Sequence, residues 1–349
     1  AVTFDKTAPT LSAVTISSNN ATSSLAKVGD VVTLSITSSE SIQAPTVSIG
    51  GIAATVSGSG STYTATATMT SSVTSGTITY SINYSDLSGN AGTQVTSTTN
   101  NSTVTFDKTA PVISQINLSW GSVLNISEAS TSGTISLTTT GVENGQIATI
   151  TLNSSTYTNT VTNNTASVTI PQSALTALSN GSTYTVTANV SDAAGNTATP
   201  ISSNFTFDKT SPTLSAVTIS SNNANTSRAK VGDVISVAIT SSESIATPTI
   251  TIAGQSATVT GSGTSYTGTY TVTSSTTEGT ASISIAFSDV AGNAGTTVTA
   301  TTNSSSVVID RAVPTLSAVT ISSNNTNTSN AKVGDMISVA ITSSESIAT

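Results

Sequence analysis

Acidic side chains are few in this chain, 16 among 349 residues, and their placement is periodic. Asp5, Asp107, Asp208 and Asp310 follow one another at intervals of 102, 101 and 102 residues. The first two stand in the same hexapeptide, FDKTAP, the third in FDKTSP and the fourth in IDRAVP. A second acid recurs in a D-x-x-G-N sequence, as Asp86 of DLSGN, Asp192 of DAAGN and Asp289 of DVAGN. A third recurs in SSESI as Glu40, Glu243 and Glu345, and Glu143 of GVENG takes that place in the second interval. Carboxylates that meet can ligate a hard cation through oxygen. They can also work as an acid paired with a base or nucleophile, as in glycoside hydrolysis. With no His and no Cys, the chain lacks the common proton shuttle, the thiol nucleophile and histidine-based metal sites. Copying an active site into every interval would be unusual, whereas copying a joint is natural. No enzymatic activity is expected of this segment.

Whether the acids meet depends on the elements that carry them. A period near 102 residues is one small domain, so the chain reads as a tandem array. Residues 5–106 and 208–309 superimpose without a gap at an offset of 203, which carries Lys27 onto Lys230, Glu40 onto Glu243 and Asp86 onto Asp289. Residues 107–207 form a second type of repeat that shares the FDKTAP start and the D-x-x-G-N sequence. Residues 310–349 begin another copy of the first type, matching 212–247 at 33 of 36 positions from Pro314 onward. Residues 1–4 are expected to end a preceding repeat.

Ser and Thr supply about two-fifths of the chain, a composition compatible with disorder. The pattern opposes that reading. Tyr63, Ala65, Ala67 and Met69 alternate with threonines, and Ile78, Tyr80, Ile82 and Tyr84 alternate with Thr79, Ser81 and Asn83. Period-two alternation with β-branched residues marks half-buried strands. In the first repeat, strands are expected near 10–18, 31–38, 45–49, 52–57, 62–70, 77–84 and 94–106. No long helical pattern is visible. Seven short strands with turns every 8–12 residues predict an all-β fold of tandem immunoglobulin-like Greek-key sandwiches in an extended array.

Composition removes several functions. A net charge of −8 with eight scattered basic residues leaves no footprint for nucleic acid. No apolar run reaches membrane-spanning length, and no secretory signal is visible. The absence of cysteine excludes disulfide staples.

The stretches TLSAVTISSNN, AKVGD, SSESI, PTVSIGG and YSDLSGNAGT resemble the bacterial immunoglobulin-like repeats of very large exported surface proteins. VSDAAGNTATP followed by FDKTSP in the second type is similar to related repeats of giant adhesins. The resemblance covers nearly the whole chain and is specific for the module; modules of this kind act as spacers, binders or matrix components. It implies an extracellular or bacterial cell-surface chain of sandwiches, often stiffened by calcium.

In such a sandwich the start of the first strand, the loop after the second and the loop before the last all lie at one pole. Asp5, Glu40 and Asp86 are therefore expected to gather there. So are Asp107, Glu143 and Asp192 in the second repeat, Asp208, Glu243 and Asp289 in the third, and Asp310 with Glu345 in the last. Gathered carboxylates repel unless positive charge joins them. Two readings stay open. Lys6, Lys108, Lys209 and Arg311 supply the charge while each Asp orders its own turn, or Ca²⁺ is held by Asp, Glu and backbone oxygens. Asn90, Asn196 and Asn293 are expected to shape the turns. Phe106 and Phe207 are expected to close the cores of the first and second repeats, with Phe4 doing the same for a repeat before them.

Other residues invite sharper readings. Lys27, Lys230 and Lys332 of AKVGD suggest an isopeptide bond to Asn, but salt bridges or turns with Asp30, Asp233 and Asp335 are the simpler expectation. Trp120 is the sole tryptophan and is expected to pack at the end of its domain instead of stacking on a sugar. Tyr84, Tyr184 and Tyr266 are expected in cores or rims. Sequons at Asn20, Asn153, Asn204 and Asn327 are abundant by composition. The leading expectation is a stalk or spacer of a giant adhesin, its partners being neighbouring repeats and an unidentified host or substrate ligand. A laterally associating subunit of a filament, surface layer or biofilm matrix is the first alternative. A glycan-binding array is the second.

Overall fold

The structure is a computed structural model that describes residues 4–347, and its backbone divides into two compact units, Ala1–Lys209 and Thr210–Thr349. The first unit contains two separate hydrophobic clusters, one for each of its repeats.

The first repeat comprises β1 (Leu11–Ser18), β2 (Leu25–Ala26), β3 (Val31–Ser38), β4 (Thr46–Ile49), β5 (Ile52–Ala53), β6 (Thr55–Ser59), β7 (Thr62–Thr68), β8 (Gly76–Thr77), β9 (Tyr80–Asn83) and β10 (Thr105–Phe106). β1, β3, β7 and β6 pair in that order in one antiparallel sheet, and β5, β4 and β9 form the sheet facing it. Alternation dictates the layering. In β7, Tyr63, Ala65 and Ala67 point into the core between outward threonines. Leu34, Ile36, Ile82 and Phe106 are each no more than 1% exposed. Burying a side chain of that size contributes on the order of 1.5–3 kcal/mol.

The expected last strand over 94–106 is mostly irregular. Val95 bridges Ile82, Thr99 bonds Val14, and regular pairing returns only at β10, which runs parallel to β2. The reason lies in the composition of residues 96–103, which are all polar and supply no apolar face to hold a strand against the core. Val104 and Phe106, both 0% exposed, anchor its end.

The second repeat comprises β11 (Val112–Leu118), β12 (Val123–Leu124), α1 (Ile126–Ala129), β13 (Gly133–Thr140), β14 (Ile147–Leu152), β15 (Ser155–Thr160), β16 (Thr165–Ile170), α2 (Gln172–Thr176), β17 (Thr183–Val190) and β18 (Ile201–Phe207). Here β11, β13 and β16 face a five-stranded sheet in the order β12, β18, β17, β14, β15. The strand after β14 has changed sheets relative to the first repeat. Asn153 and Ser154, both with positive φ, make a two-residue hairpin that pairs β14 with β15 over six residues. In the first repeat, β5 pairs over only two residues before β6 crosses to β7. The short helix α1 carries a capping box in which Asn125 and Glu128 each accept the other's backbone N–H.

The second unit repeats the first fold strand for strand. Leu214–Ser221, Val234–Ser241, Ser265–Thr271 and Thr258–Ser262 pair in the order of β1, β3, β7 and β6. Ile235, Val237 and Ile285 are fully buried in its single cluster. Its last two strands, Leu316–Ser323 and Ile337–Ser343, pair with each other while Val319, Ile321, Val339 and Ile341 remain exposed. Phe106 and Phe207 close their cores as expected, and Phe4 is 84% exposed. Residues 1–3 of the expected preceding repeat, and 348 and 349 of the last one, lie outside the described residues.

Candidate metal centre

The acidic pole of the first repeat is assembled by three short segments. Beyond β9 the chain enters the DLSGN turn, where Gly89 adopts φ +95°, a conformation that favours glycine. Asp86 orders this turn itself. Its Oδ1 accepts the Asn90 backbone N–H at 2.8 Å and its Oδ2 accepts Asn90 Nδ2 at 2.7 Å. The side chain is 1% exposed. Burial alone would raise its pKa, but hydrogen bonds from the Asn90 side chain and from the N–H groups of Asn90, Gly89 and Ser88 outweigh it. The carboxyl is held below the ordinary aspartate value of 3.8.

The loop after β3 brings Glu40 alongside. Ser38 Oγ donates to the Glu40 carbonyl, and the buried Tyr63 hydroxyl donates to the Ile42 carbonyl at 2.8 Å. Gln43 Nε2 then donates to the Asp86 carbonyl at 3.0 Å, tying the two loops together. The third segment is the leading linker. Asp5 Oδ1 accepts the Thr7 N–H at 2.9 Å, and its carbonyl accepts Asn90 Nδ2 at 3.3 Å. Asn90 therefore shapes the turn as expected and also grips the linker.

Asp5, Glu40 and Asp86 converge, each placing one carboxylate oxygen within 4.8 Å of the others. Oxygens bound to one calcium at 2.3–2.6 Å lie at most about 5 Å apart, so this spacing fits that ion.

The described basic side chains make their contacts away from this pole. Lys6 Nζ lies over the Phe4 ring at 5.0 Å, and Lys108 Nζ donates to the Ser71 and Val73 carbonyls, both at 2.9 Å. Lys209 lies over Phe207, and Arg311 pairs with Glu278 while donating to the Ser274 carbonyl. Each residue after a linker aspartate turns towards its own preceding segment. Among the described residues, no ion pair involves Asp5, Glu40 or Asp86. At this pole Lys6 therefore turns away from the acids, while Asp86 orders its own turn as expected.

In the second unit, Glu243 and Asp289 take the places of Glu40 and Asp86, with carboxylate oxygens within 4.8 Å. Asp289 is 2% exposed and accepts both the N–H and Nδ2 of Asn293. Tyr266 donates to the Ile245 carbonyl as Tyr63 does to that of Ile42. Asp208 directly follows β18, its N–H donating to the Leu124 carbonyl at 2.9 Å. Asp310 and Glu345 line one groove.

The second repeat is built differently. Glu143 Oε2 accepts the Ala193 N–H at 2.8 Å, and Asp192 is bonded by Asn196 through both oxygens. Asn196 Nδ2 also reaches the Asp107 carbonyl at 3.1 Å. Among the described residues, Asp107, Glu143 and Asp192 form no group of carboxylate oxygens within 4.8 Å. Here Glu143 fastens the turn with an oxygen, whereas among the described residues the Glu40 carboxylate accepts no such bond.

Trp120 is 6% exposed and packs edge-on to Phe205 at 5.3 Å, which removes it as a sugar platform. Tyr84 and Tyr266 are buried, and Tyr184 stacks on Phe205. Lys27 Nζ is ion-paired with Asp30 at 3.1 Å, as the simpler reading of AKVGD expects. Asn20, expected only as a sequon, donates to Asp30 at 2.7 Å. Its signal was visible, because Asn20, Asn223 and Asn325 each stand ten residues before the aspartate of AKVGD.

No protein-family model matches the chain, and no curated protein matches it in sequence. Solved structures do. A structure from a 1.5-MDa bacterial ice-binding adhesin is 19% identical, covering 87% of this chain and 98% of that one at a TM-score of 0.44. A Ca²⁺-stabilized adhesin with which an Antarctic bacterium binds ice is 23% identical, with 90% and 77% covered and a TM-score of 0.40. The I9–I11 tandem of titin is 9% identical, with 82% and 94% covered and a TM-score of 0.29. Among the described residues no helix is long and apolar enough to cross a membrane.

Proposed function

We propose that this chain is a spacer segment of a large extracellular adhesin, and that calcium stiffens the joints in front of its type 1 repeats. One observation carries the reading. Asp5 of the linker meets Glu40 and Asp86 of the domain body at a pole where, among the described residues, no lysine or arginine forms an ion pair. A calcium ion held there would take one carboxylate oxygen from each residue and cancel their repulsion. Because Asp5 belongs to the linker and the other two to the body, the same ion would fix the linker's direction.

The linkers suit a mechanical role. Asp107 donates its N–H to the Ala26 carbonyl and Asp310 donates to that of Ala229, both at 2.9 Å. The residue that begins each new repeat is thereby bonded to the one before it. Each complete repeat buries its own core, so stability is approximately a sum over repeats and junctions. Such an array would hold a distal binding domain away from a cell surface.

The test compares melting and small-angle scattering with calcium and after chelation. Chelation is expected to lower the melting temperature and reduce the mean length. Identical melting and scattering in both conditions would eliminate the calcium joint.

A further inference from the structure

We propose that Asn20, Lys27 and Asp30 form a socket for the D-x-x-G-N turn of the repeat that follows, a hydrogen-bonded latch that needs no cation. Asp30, 8% exposed, organises the socket. Its Oδ2 accepts Asn20 Nδ2 at 2.7 Å and the Lys27 N–H at 2.8 Å, and its Oδ1 accepts Lys27 Nζ at 3.1 Å. Asn20 Oδ1 meanwhile accepts the Thr22 N–H. Held on both sides, the Asn20 amide directs its remaining donor across the joint to the Ala194 carbonyl at 2.9 Å. Ala194 lies within the DAAGN turn of the second repeat and is 3% exposed. Beside it, a Cβ at Gly195 would stand 3.4 Å from Lys27 Cε, so the turn's glycine rests against the lysine stem.

The linker is pinned around this contact. The Asp107 N–H bonds Ala26 of the first repeat, and its carbonyl accepts Asn196 Nδ2 of the second. Lys108 reaches back to Ser71 and Val73. The turn that holds Asp192 thus also holds the preceding domain.

The Asn and backbone bonds to the aspartate recur in the other type 1 copies. Asn223 donates to Asp233 at 2.7 Å and Asn325 to Asp335 at 2.9 Å. Lys230 and Lys332 supply the matching backbone N–H, each at 2.8 Å. The turns match as well, since all have Ser or Ala at the third position and Gly at the fourth. The occupant this socket fits is therefore a following repeat's turn with a small residue before its glycine.

The absence of cysteine allows clean labelling, with Ser57→Cys on β6 and Thr156→Cys on β15 carrying spin labels for distance measurement. The full chain is measured in chelator, which separates the latch from any calcium effect. The parent is expected to give a narrow distribution. Asn20→Ala and Asn20→Asp, the latter keeping the side chain's shape, are expected to broaden it, with alternative joint angles about fivefold more populated for one lost hydrogen bond. Asn223→Ala, which makes the same local change elsewhere, should leave this joint unaltered. Equal widths for parent and Asn20 variants in chelator would overturn the latch, as would equal broadening by Asn223→Ala.

Discussion

Substituting Gly92 by alanine tests whether the loop that carries Asp86 is set by close packing. Gly92 follows the DLSGN turn, and its N–H donates to the Tyr84 carbonyl at 3.0 Å. A Cβ added there would meet Tyr84 Cε2 at 2.3 Å and Cζ at 2.4 Å, against ordinary contacts of 3.4 Å or more. The ring would have to retreat by about 1 Å, the scale on which close-packed interiors resist intrusion. Tyr84 is 8% exposed and belongs to the core, so retreat displaces its neighbours. Overpacking of this kind costs about 1–3 kcal/mol. In a domain near 100 residues that corresponds to a fall in melting temperature of about 4–24 °C. Calorimetry reads the first repeat, while Trp120, the sole tryptophan, reports the second by fluorescence and should move little. With Tyr84→Ala already present, Gly92→Ala should add less than about 0.5 kcal/mol, because the clash has lost its partner. An unchanged calorimetric transition in the single variant, or a full penalty without the ring, would refute the argument.

Other consequences follow from the same geometry. Phe106→Ala, at a site with 0% exposure, should cost about 3–5 kcal/mol in denaturant melts. Hydrogen bonds outweigh burial to lower the pKa of Asp86 and Asp30, and Asp233 and Asp335 are lowered by their Asn and Lys partners. A carboxyl depressed on folding adds stability above its unfolded value, near 3.8, and loses it as pH falls through the lower folded value. Melting temperature should therefore hold from about pH 5 to 7 and fall below about pH 4, with a shallower fall in Asp86→Asn. Intact mass should show no loss of ammonia, since Lys27 Nζ is engaged by the Asp30 carboxylate at 3.1 Å.

Sequence and structure agree where the determinant is periodic. The spacing of Asp5, Glu40 and Asp86 with a seven-strand topology was enough to place them at one pole. The alternation in Thr62–Thr68 was enough to assign its inward face. They part where direction decides. Sequence locates Lys108 beside Asp107, but the orientation of its stem depends on the Ser71 and Val73 carbonyls of a loop more than 30 residues away. It locates Glu143 in a loop, but not the bond to Ala193 that separates the second repeat from the first. The stretch 96–103 lies inside the strand expected over 94–106, yet its all-polar composition offers no apolar face to hold it there. The socket at Asn20 went unread because an asparagine in so polar a chain carries no signal until its spacing to Asp30 is compared between copies.

Equilibrium dialysis against calcium is the most direct measurement, made on the parent chain, Asp86→Ala and Glu143→Ala at matched concentration. Asp86 supplies an oxygen to the convergent group of the first repeat, whereas Glu143 spends one on the Ala193 N–H. The parent should retain calcium, Asp86→Ala a single ion fewer, and Glu143→Ala as much as the parent. No calcium retained above the free concentration, or an equal loss in both variants, would contradict the calcium joint.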